Sequence, residues 1–544
     1  MKQKLLPKQI ISSIILVLFI FSATAQNHQA RFESIDILHY SFEIHLNDST
    51  NRIEGKATIS LNFIKPVKQI TLDLIEPNDS TQTGMIVSSV TKNGSSLTFK
   101  QQNNQLKIQL SEKSITDKSA TIQIEYTGIP ADGLIISKNK FGDRTFFGDN
   151  WPNRARYWLP TVDHPSDKAT LEFLVYAPEH YQVVSNGVLF ETTNLPNEIK
   201  FTHWKESVPL STKLMVIGVA RFAVRNNGSY KYIPVSSWVY PQNRENGFKD
   251  YAIGKKALQY FSEKIGFYSY EKLAHVQSKT RYGGMENASC IFYSERTVNG
   301  KNGQESLFAH ETAHQWFGNS VTEQNWHHIW LSEGFATYLT HVYNQHFHGE
   351  KYFRNGLKRD RERVIAYSKR RLAPIIDTTI TNYNRLLSTN SYQKASWFLH
   401  MLRNKTSDSI FFAGLQKYYH NYQNSTALTK DFKNVMESVS GLELDSFFHQ
   451  WLWQPGHPNL KVKWENISNK KLKIIVEQTQ PDYIFSFPLE IEIRYKNGDA
   501  DYKTIQINDS KKEVSFSIKN EVKNIIIDPS VRLLLEKTNL SNVN

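Results

Sequence analysis

His310 and His314 stand four residues apart in HETAHQWFGN, with Glu311 after the first, and Glu333 follows nineteen residues beyond His314 in WLSEGFATY. On a helix of 3.6 residues per turn, positions four apart lie one above the other, so both imidazoles can reach one ion. Glu311 is rotated about 100° from His310, which places it beside that ion without making it a ligand. Two imidazoles and a carboxylate suit zinc and leave a fourth position for water, the arrangement of a catalytic site and not of a structural brace. The expectation is one zinc per chain, held by His310, His314 and Glu333, with Glu311 beside it. Helical histidines are often ordinary surface or core residues. The company here, WLSEGFATY downstream and YGGMENAS upstream, favours the metal.

The ligands need two helices that cross. The segment IWLSEGFATYLTHVY has helical spacing, and a turn after HQWFGN brings it back across the first helix. Upstream, Tyr40, Phe42, Ile44 and Leu46 alternate with polar residues, NDSTN turns, and Ala57, Ile59, Leu61 and Phe63 alternate again. Such half-buried antiparallel strands continue to about Tyr240. After YPQNREN the period becomes helical and stays so until Trp453, where QPGHPN breaks it. Beyond the break, Leu460, Val462 and Trp464, then Leu472, Ile474 and Val476, then Leu489, Ile491 and Ile493 alternate as in a small sandwich. The fold class is multidomain α+β: a β-rich domain over 26–240, a mostly helical domain over 241–453 and a C-terminal β-sandwich over 454–544.

At 544 residues the chain is too long for one ordinary core. Lys2, Lys4 and Lys8 precede an apolar run from Ile10 to Phe21, and small residues at Ala23 and Ala25 follow, which reads as a secretory signal over residues 1–25. The run is short for a bilayer span, so no stable membrane anchor is expected after cleavage, and the protein is expected in the periplasm or secreted. Removing those three lysines, with no acid beside them, takes the formal charge from +13 to +10. The remaining basic residues are interleaved with acids along the chain, a solvated surface and not a nucleic-acid stripe. Cys290 is the single cysteine, so no intrachain disulfide can form. Core or pocket lining suits it better than metal ligation.

Three blocks carry a resemblance to a known family: YGGMEN at 282–287, HETAHQWFGN at 310–319 and WLSEGF at 330–335. In order and spacing they resemble the aminopeptidase N family of zinc metallopeptidases, gluzincins that include the leukotriene-epoxide hydrolase. Weaker similarity extends to RYWLPTVDHPSD, YQKASWFLHML and FFHQWLWQPGHP. The resemblance implies a thermolysin-like catalytic domain and removal of single N-terminal residues from peptides that carry a free N-terminus. It implies that Glu311 takes the proton of a metal-activated water and that Glu286 grips the substrate's α-ammonium. Gly283, Gly284, Met285, Glu286 and Asn287 would line the substrate, glycine allowing close backbone approach. Tyr392, ahead of a lysine about sixty residues past Glu333, matches the family's catalytic tyrosine, whose phenol donates to the oxyanion.

The chain departs from the family pattern in places. Ala395 stands where glycine often follows Tyr-x-Lys, and His327 where an aspartate commonly follows the tryptophan. Where many members place a glutamate or glutamine that also holds the α-amine, this chain reads GDNWPNRAR. Trp151 lies near that place, with Asp149 and Asn150 as the candidates for a second amine anchor. Trp316 and Phe317 read as packing around the metal helix. An epoxide hydrolase or a bifunctional enzyme shares these residues, whereas a catalytically silent peptide-binding module would keep the fold and is argued against by the intact set His310, Glu311, His314, Glu333 and Tyr392. The side chain preferred at the substrate's first position and the oligomeric state are not encoded in these motifs.

Overall fold

The computed structural model describes residues 33–110, 118–468 and 470–542, so the expected signal segment lies outside the described residues. Two compact units interleave along the chain. Among the described residues, one takes 33–225, Trp238–Arg244 and Tyr270–Arg296, and the other takes Asn226–Ser237, Glu245–Ser269 and 297–542.

The first unit is built on strands whose alternation was visible in the sequence. Tyr40, Phe42 and Ile44 are fully buried on strand Ile35–His45. That strand lies inside an eight-stranded sheet, antiparallel to Ile53–Phe63 and parallel to Lys168–Pro178. The intervening positions stay partly exposed, as expected of a sheet with one buried face. A four-stranded sheet orders Gln182–Ser185, Ile217–Ala220, Arg144–Gly148 and Leu134–Lys138. The YGGMEN segment lies among three further strands, β1 (Leu273–Ser278), β2 (Gly284–Met285) and β3 (Cys290–Ser294), and contributes Gly284 and Met285 to the second. β1 runs parallel to β3, and β2 pairs antiparallel with β3 through Gly284 to Tyr293 and Met285 to Phe292.

Apart from the strand residues of Asn226–Ser237 and the short strands Val321–Glu323 and Ser425–Ala427, the second unit is mostly helical until Trp453. Helices Arg244–Tyr251 and Gly254–Lys264 come first, and the site helices follow: α1 (Glu305–Ala313), α2 (Trp330–His348) and α3 (Glu350–Ser368). Two π turns interrupt the later helices, at Asn390–Lys394 and His449–Trp453. After QPGHPN the chain forms a four-stranded sheet, in the order Lys511–Ser517, Lys471–Gln478, Asn459–Ser468 and Glu536–Asn542. A three-stranded sheet adds Ala500–Ile507, Phe487–Tyr495 and Val522–Ile527. Trp464, Ile474, Val476, Leu489, Ile491 and Ile493 are buried, which is the alternation expected of the two inner faces. The helical and C-terminal parts are joined through the ion pair of Arg361 with Asp528 and through His400 Nε2, 2.9 Å from the Val531 carbonyl oxygen.

Candidate metal centre

α1 continues through His314, whose N–H donates to the His310 carbonyl at 3.2 Å, so the two histidines sit one turn apart on one face. The chain then reverses tightly. Gly318 adopts φ +118°, its N–H donates to the Val321 carbonyl at 2.8 Å, and Val321–Glu323 forms a short strand parallel to Ser425–Ala427. Trp316 and Phe317 fix this reversal by packing. Trp316 Nε1 donates to the Gly266 carbonyl at 3.0 Å, and Phe317 meets Phe335 at 4.7 Å between ring centroids. α2 thereby starts at Trp330 and presents Glu333 from its first turn, where the helix dipole favours a carboxylate.

The three candidate ligands converge. His310 Nε2 and His314 Nε2 lie 3.2 Å apart, and Glu333 Oε2 lies 3.5 Å and 3.2 Å from them. Donors around a tetrahedral zinc with bonds of about 2.0–2.1 Å are separated by about 3.3 Å. The edges of this triangle match that spacing, and one carboxylate with two neutral imidazoles is a donor set that zinc accepts. Burial on its own would raise the Glu333 carboxyl. Positive charge on His314 and hydrogen bonds from both imidazoles outweigh burial and hold it well below the ordinary carboxylate range. The two histidines thus favour the anionic form of Glu333, the form in which a carboxylate binds a metal.

The His314 ring is fixed from behind. Its Nδ1–H faces the Phe317 carbonyl at 3.2 Å and the Ser332 hydroxyl at 3.1 Å, which leaves Nε2 as the lone-pair nitrogen. Gly318 makes room for this contact: a Cβ there would lie 2.3 Å from Ser332 Oγ and 2.9 Å from His314 Nδ1. Glu311 is 5% exposed, with a carboxylate oxygen within 4.8 Å of a His314 ring nitrogen. Tyr392, half-buried on the first π turn, stacks on His310 with centroids 6.1 Å apart and planes 16° from parallel. π turns often occur at functional positions because they re-aim a side chain by one residue. Gly334 lets this turn approach α2, since a Cβ there would lie 2.5 Å from the Ala395 Cβ. The methyl that Ala395 carries in place of glycine is therefore accommodated by a glycine next to Glu333.

His327 lies away from the metal ligands in its bonding. Its backbone N–H donates to Asn325 Oδ1 at 3.0 Å, and its Nε2 is 2.9 Å from the Ile380 carbonyl oxygen. Among the candidates for a second amine anchor, Asn150 is spent inside the fold. Its amide donates to Thr212 and Met215 carbonyls at 3.1 and 2.6 Å, and its oxygen accepts from Trp158 Nε1 at 2.9 Å. Asp149 is fully buried and paired with Arg154. Trp151 packs edge-on against Tyr282 with centroids 6.2 Å apart.

In the first unit, Glu286 follows β2 directly and is 5% exposed, while Met285 and Asn287 are buried. The Cys290 N–H donates to the Asn287 carbonyl at 3.1 Å, closing the turn into β3. Cys290 is buried in the core, and burial pushes its thiol up to about 11.

Comparison with known proteins places this arrangement. The family model described as the Peptidase family M1 domain matches residues 250–451, and that of the Peptidase M1 N-terminal domain matches residues 37–214. The chain belongs to the peptidase M1 family. Among its relatives, a glutamyl aminopeptidase of Bitis rhinoceros is 28% identical over 370 residues, covering 65% of this chain and 39% of the relative. The human glutamyl aminopeptidase is 25% identical over 508 residues, covering 88% of this chain and 53% of the relative. A probable aminopeptidase 2 of Sulfurisphaera tokodaii is 24% identical over 465 residues, covering 82% and 58%. The chain therefore spans between 39% and 58% of the length of these relatives. An M1 zinc metallopeptidase from Deinococcus radiodurans shares the fold, with a TM-score of 0.66 at 22% identity over 78% of this chain and 95% of that one. The family accounts for the shared architecture of a β-rich N-terminal domain followed by a helical domain, and for a donor set that suits zinc. Ser332, Gly318 and Gly334 were not singled out by motif reasoning, because their contribution lies in what they touch and not in their chemistry.

Proposed function

We propose that this M1 family member is a zinc-dependent aminopeptidase that releases single residues from peptides with a free N-terminus. The observation that carries the reading is the triangle of His310, His314 and Glu333, with Glu311 and Tyr392 beside it. Zinc, when bound, supplies Lewis acidity toward water and toward a peptide carbonyl. In this reading the Glu311 carboxylate takes a proton from the attacking water and returns it to the departing nitrogen as the carbon–nitrogen bond breaks. The Tyr392 phenol donates to the carbonyl oxygen as negative charge builds there. Glu286 accepts from the substrate's α-ammonium, and the backbone of Gly283 and Gly284 runs along the substrate, with Met285 and Asn287 completing the segment. The count from the amino terminus comes from Glu286, and the bond cleavage from the triangle of His310, His314 and Glu333 together with Glu311 and Tyr392.

We further propose export to the periplasm or beyond, on the basic and apolar pattern of residues 1–25. Among the described residues, no helix is long and apolar enough to cross a membrane. The activity is tested by assaying a free-amine peptide, its N-acetylated form and a lipid epoxide side by side. Cleavage of the free-amine peptide alone is expected. Equal cleavage of both peptides would show an endopeptidase, turnover of the epoxide would show the other branch of the family, and no turnover would show a binding module.

A further inference from the structure

Glu286 sits on a turn that must be held rigidly if its carboxylate is to fix a substrate's position, because misplacement by about 1 Å at a reacting centre can lower rates by two orders of magnitude. Strand pairing reaches only the last residue of this turn, where the Ala274 N–H donates to the Ser289 carbonyl at 2.9 Å. β2 ends at Met285 and β3 begins at Cys290, so Glu286, Asn287, Ala288 and Ser289 lie between strands. Ser289 adopts φ +59°, a left-handed conformation that a serine takes only when its surroundings impose it.

Two buried side chains from elsewhere in the first unit supply that imposition. Asn186, 1% exposed, donates its amide to the Ala288 carbonyl at 2.7 Å and to the Leu214 carbonyl at 2.8 Å, while its oxygen accepts the Val216 N–H at 2.8 Å. Lys272, 8% exposed, donates Nζ to the Ser289 carbonyl at 3.0 Å and to the Ser185 carbonyl at 2.7 Å. The Ser289 hydroxyl closes the network, accepting the Gly187 N–H at 2.8 Å and donating to Glu206 Oε2 at 3.1 Å. Both carbonyls of the turn's second half are thus gripped by side chains anchored on the segment 185–187.

A buried ammonium is an expensive way to satisfy a carbonyl, and burial lowers the Lys272 pKa, with its electrostatic interactions with Cys290, Glu206 and Glu271 acting against that fall. A hydrophobic residue of the same length would fill the space more cheaply. What Lys272 adds is direction: a donor that reaches Ser289 and Ser185 together ties the turn to the adjoining sheet. We infer that Asn186 and Lys272 are positioning residues that set the Glu286 carboxylate for the substrate's α-ammonium by clamping the Ala288 and Ser289 carbonyls. The inference rests on the proposed role of Glu286.

A double-mutant cycle tests it on full-length, zinc-loaded protein. Lys272→Met and Asn186→Ala are each made in the parent and in Glu286→Ala, with zinc content, Tm, kcat and KM measured for free-amine and acetylated peptides. In the parent, each is expected to reduce kcat/KM for the free-amine peptide about tenfold and to narrow the preference over the acetylated one, with zinc content unchanged. In the Glu286→Ala background the same changes are expected to matter less than about twofold, because the group they position is gone. An undiminished effect in that background overturns the inference, and so does a parent-background variant with unaltered kinetics. If one variant does not fold, the other decides. If neither yields folded, zinc-loaded protein, the two residues serve the fold and not the site, and the inference is overturned. A parent that cleaves both peptides equally would instead refute the role of Glu286 itself.

Discussion

The Ser332 hydroxyl lies 3.1 Å from Nδ1 of His314, so the residue before one candidate ligand holds the ring of another. α2 therefore contributes both Glu333 and the contact that orients the imidazole facing it. Partners of this kind typically change metal affinity 10- to 100-fold when removed. Ser332→Ala is expected to weaken zinc binding about tenfold. Gly318→Ala should do more, because its Cβ would lie 2.3 Å from that hydroxyl and the residue sits at φ +118°. Titration of zinc against a competing chelator measures both. An affinity in Gly318→Ala equal to the parent's would show that the turn adjusts freely.

Base and ligands separate in a second experiment. Purified protein should contain about one zinc per chain, and chelation should abolish activity until zinc is returned. Glu311→Gln keeps the side chain's shape and leaves all three candidate ligands intact. Its kcat should fall by about 10²-fold or more with zinc content unchanged. Loss of zinc from that variant would place Glu311 among the ligands.

How much of this was readable beforehand depends on the range of the interaction. The pairing of His310 with His314 follows from helical period alone, and the strand alternation at Tyr40, Phe42 and Ile44 follows from a two-residue period; the structure has both. Glu333 was legible from spacing because a tight reversal after HQWFGN leaves a returning helix few other registers. The π turn under Tyr392 was not legible, since one extra residue in a helical turn leaves the apolar period almost intact. Gly318 and Gly334 were hidden for another reason: a glycine's value there is the contact its missing Cβ avoids, with Ser332 in one case and Ala395 in the other. Asn186 reaches Ala288 across 102 positions of sequence, and no local pattern encodes that meeting.

Tyr392 offers a third prediction, on the oxyanion. If its phenol stabilises developing negative charge, Tyr392→Phe should lower kcat by about 10²-fold with little change in KM, since the ground-state carbonyl gains little from the same donor. Gly334→Ala should lower kcat in the same direction by pushing the Ala395 methyl, and the turn that carries Tyr392, away from α2. Steady-state kinetics on one free-amine peptide compares the two. A Tyr392→Phe enzyme with parental kcat would return the tyrosine to a packing role against His310.

Lys394 gives a pH-dependent prediction for stability. It is 1% exposed, its Nζ is 3.4 Å from the Gln454 carbonyl oxygen, and burial pushes its pKa down to about 7. His457, itself lowered to about 4 by burial and by the Lys394 charge, is neutral near pH 7, with its Nε2 3.6 Å from Glu536 Oε2. An unfolded lysine titrates near 10.4. Between about 7 and 10 the unfolded chain therefore binds the proton that the folded chain has released, and stability rises with pH over that window. Below about 7 both states carry the charge, and the burial penalty is present in full. Lys394→Met retains most of the buried stem and removes the ammonium. The variant should melt above the parent by on the order of 5 °C at pH 7, and the gap should close progressively toward pH 10. Differential scanning calorimetry of parent and variant at matched pH values from 6.5 to 10 reads this directly. A gap that stays constant across the series would mean that Lys394 is not titrating in the folded protein. A variant that melts below the parent at pH 7 would mean that the tether to Gln454 outweighs the burial of its charge.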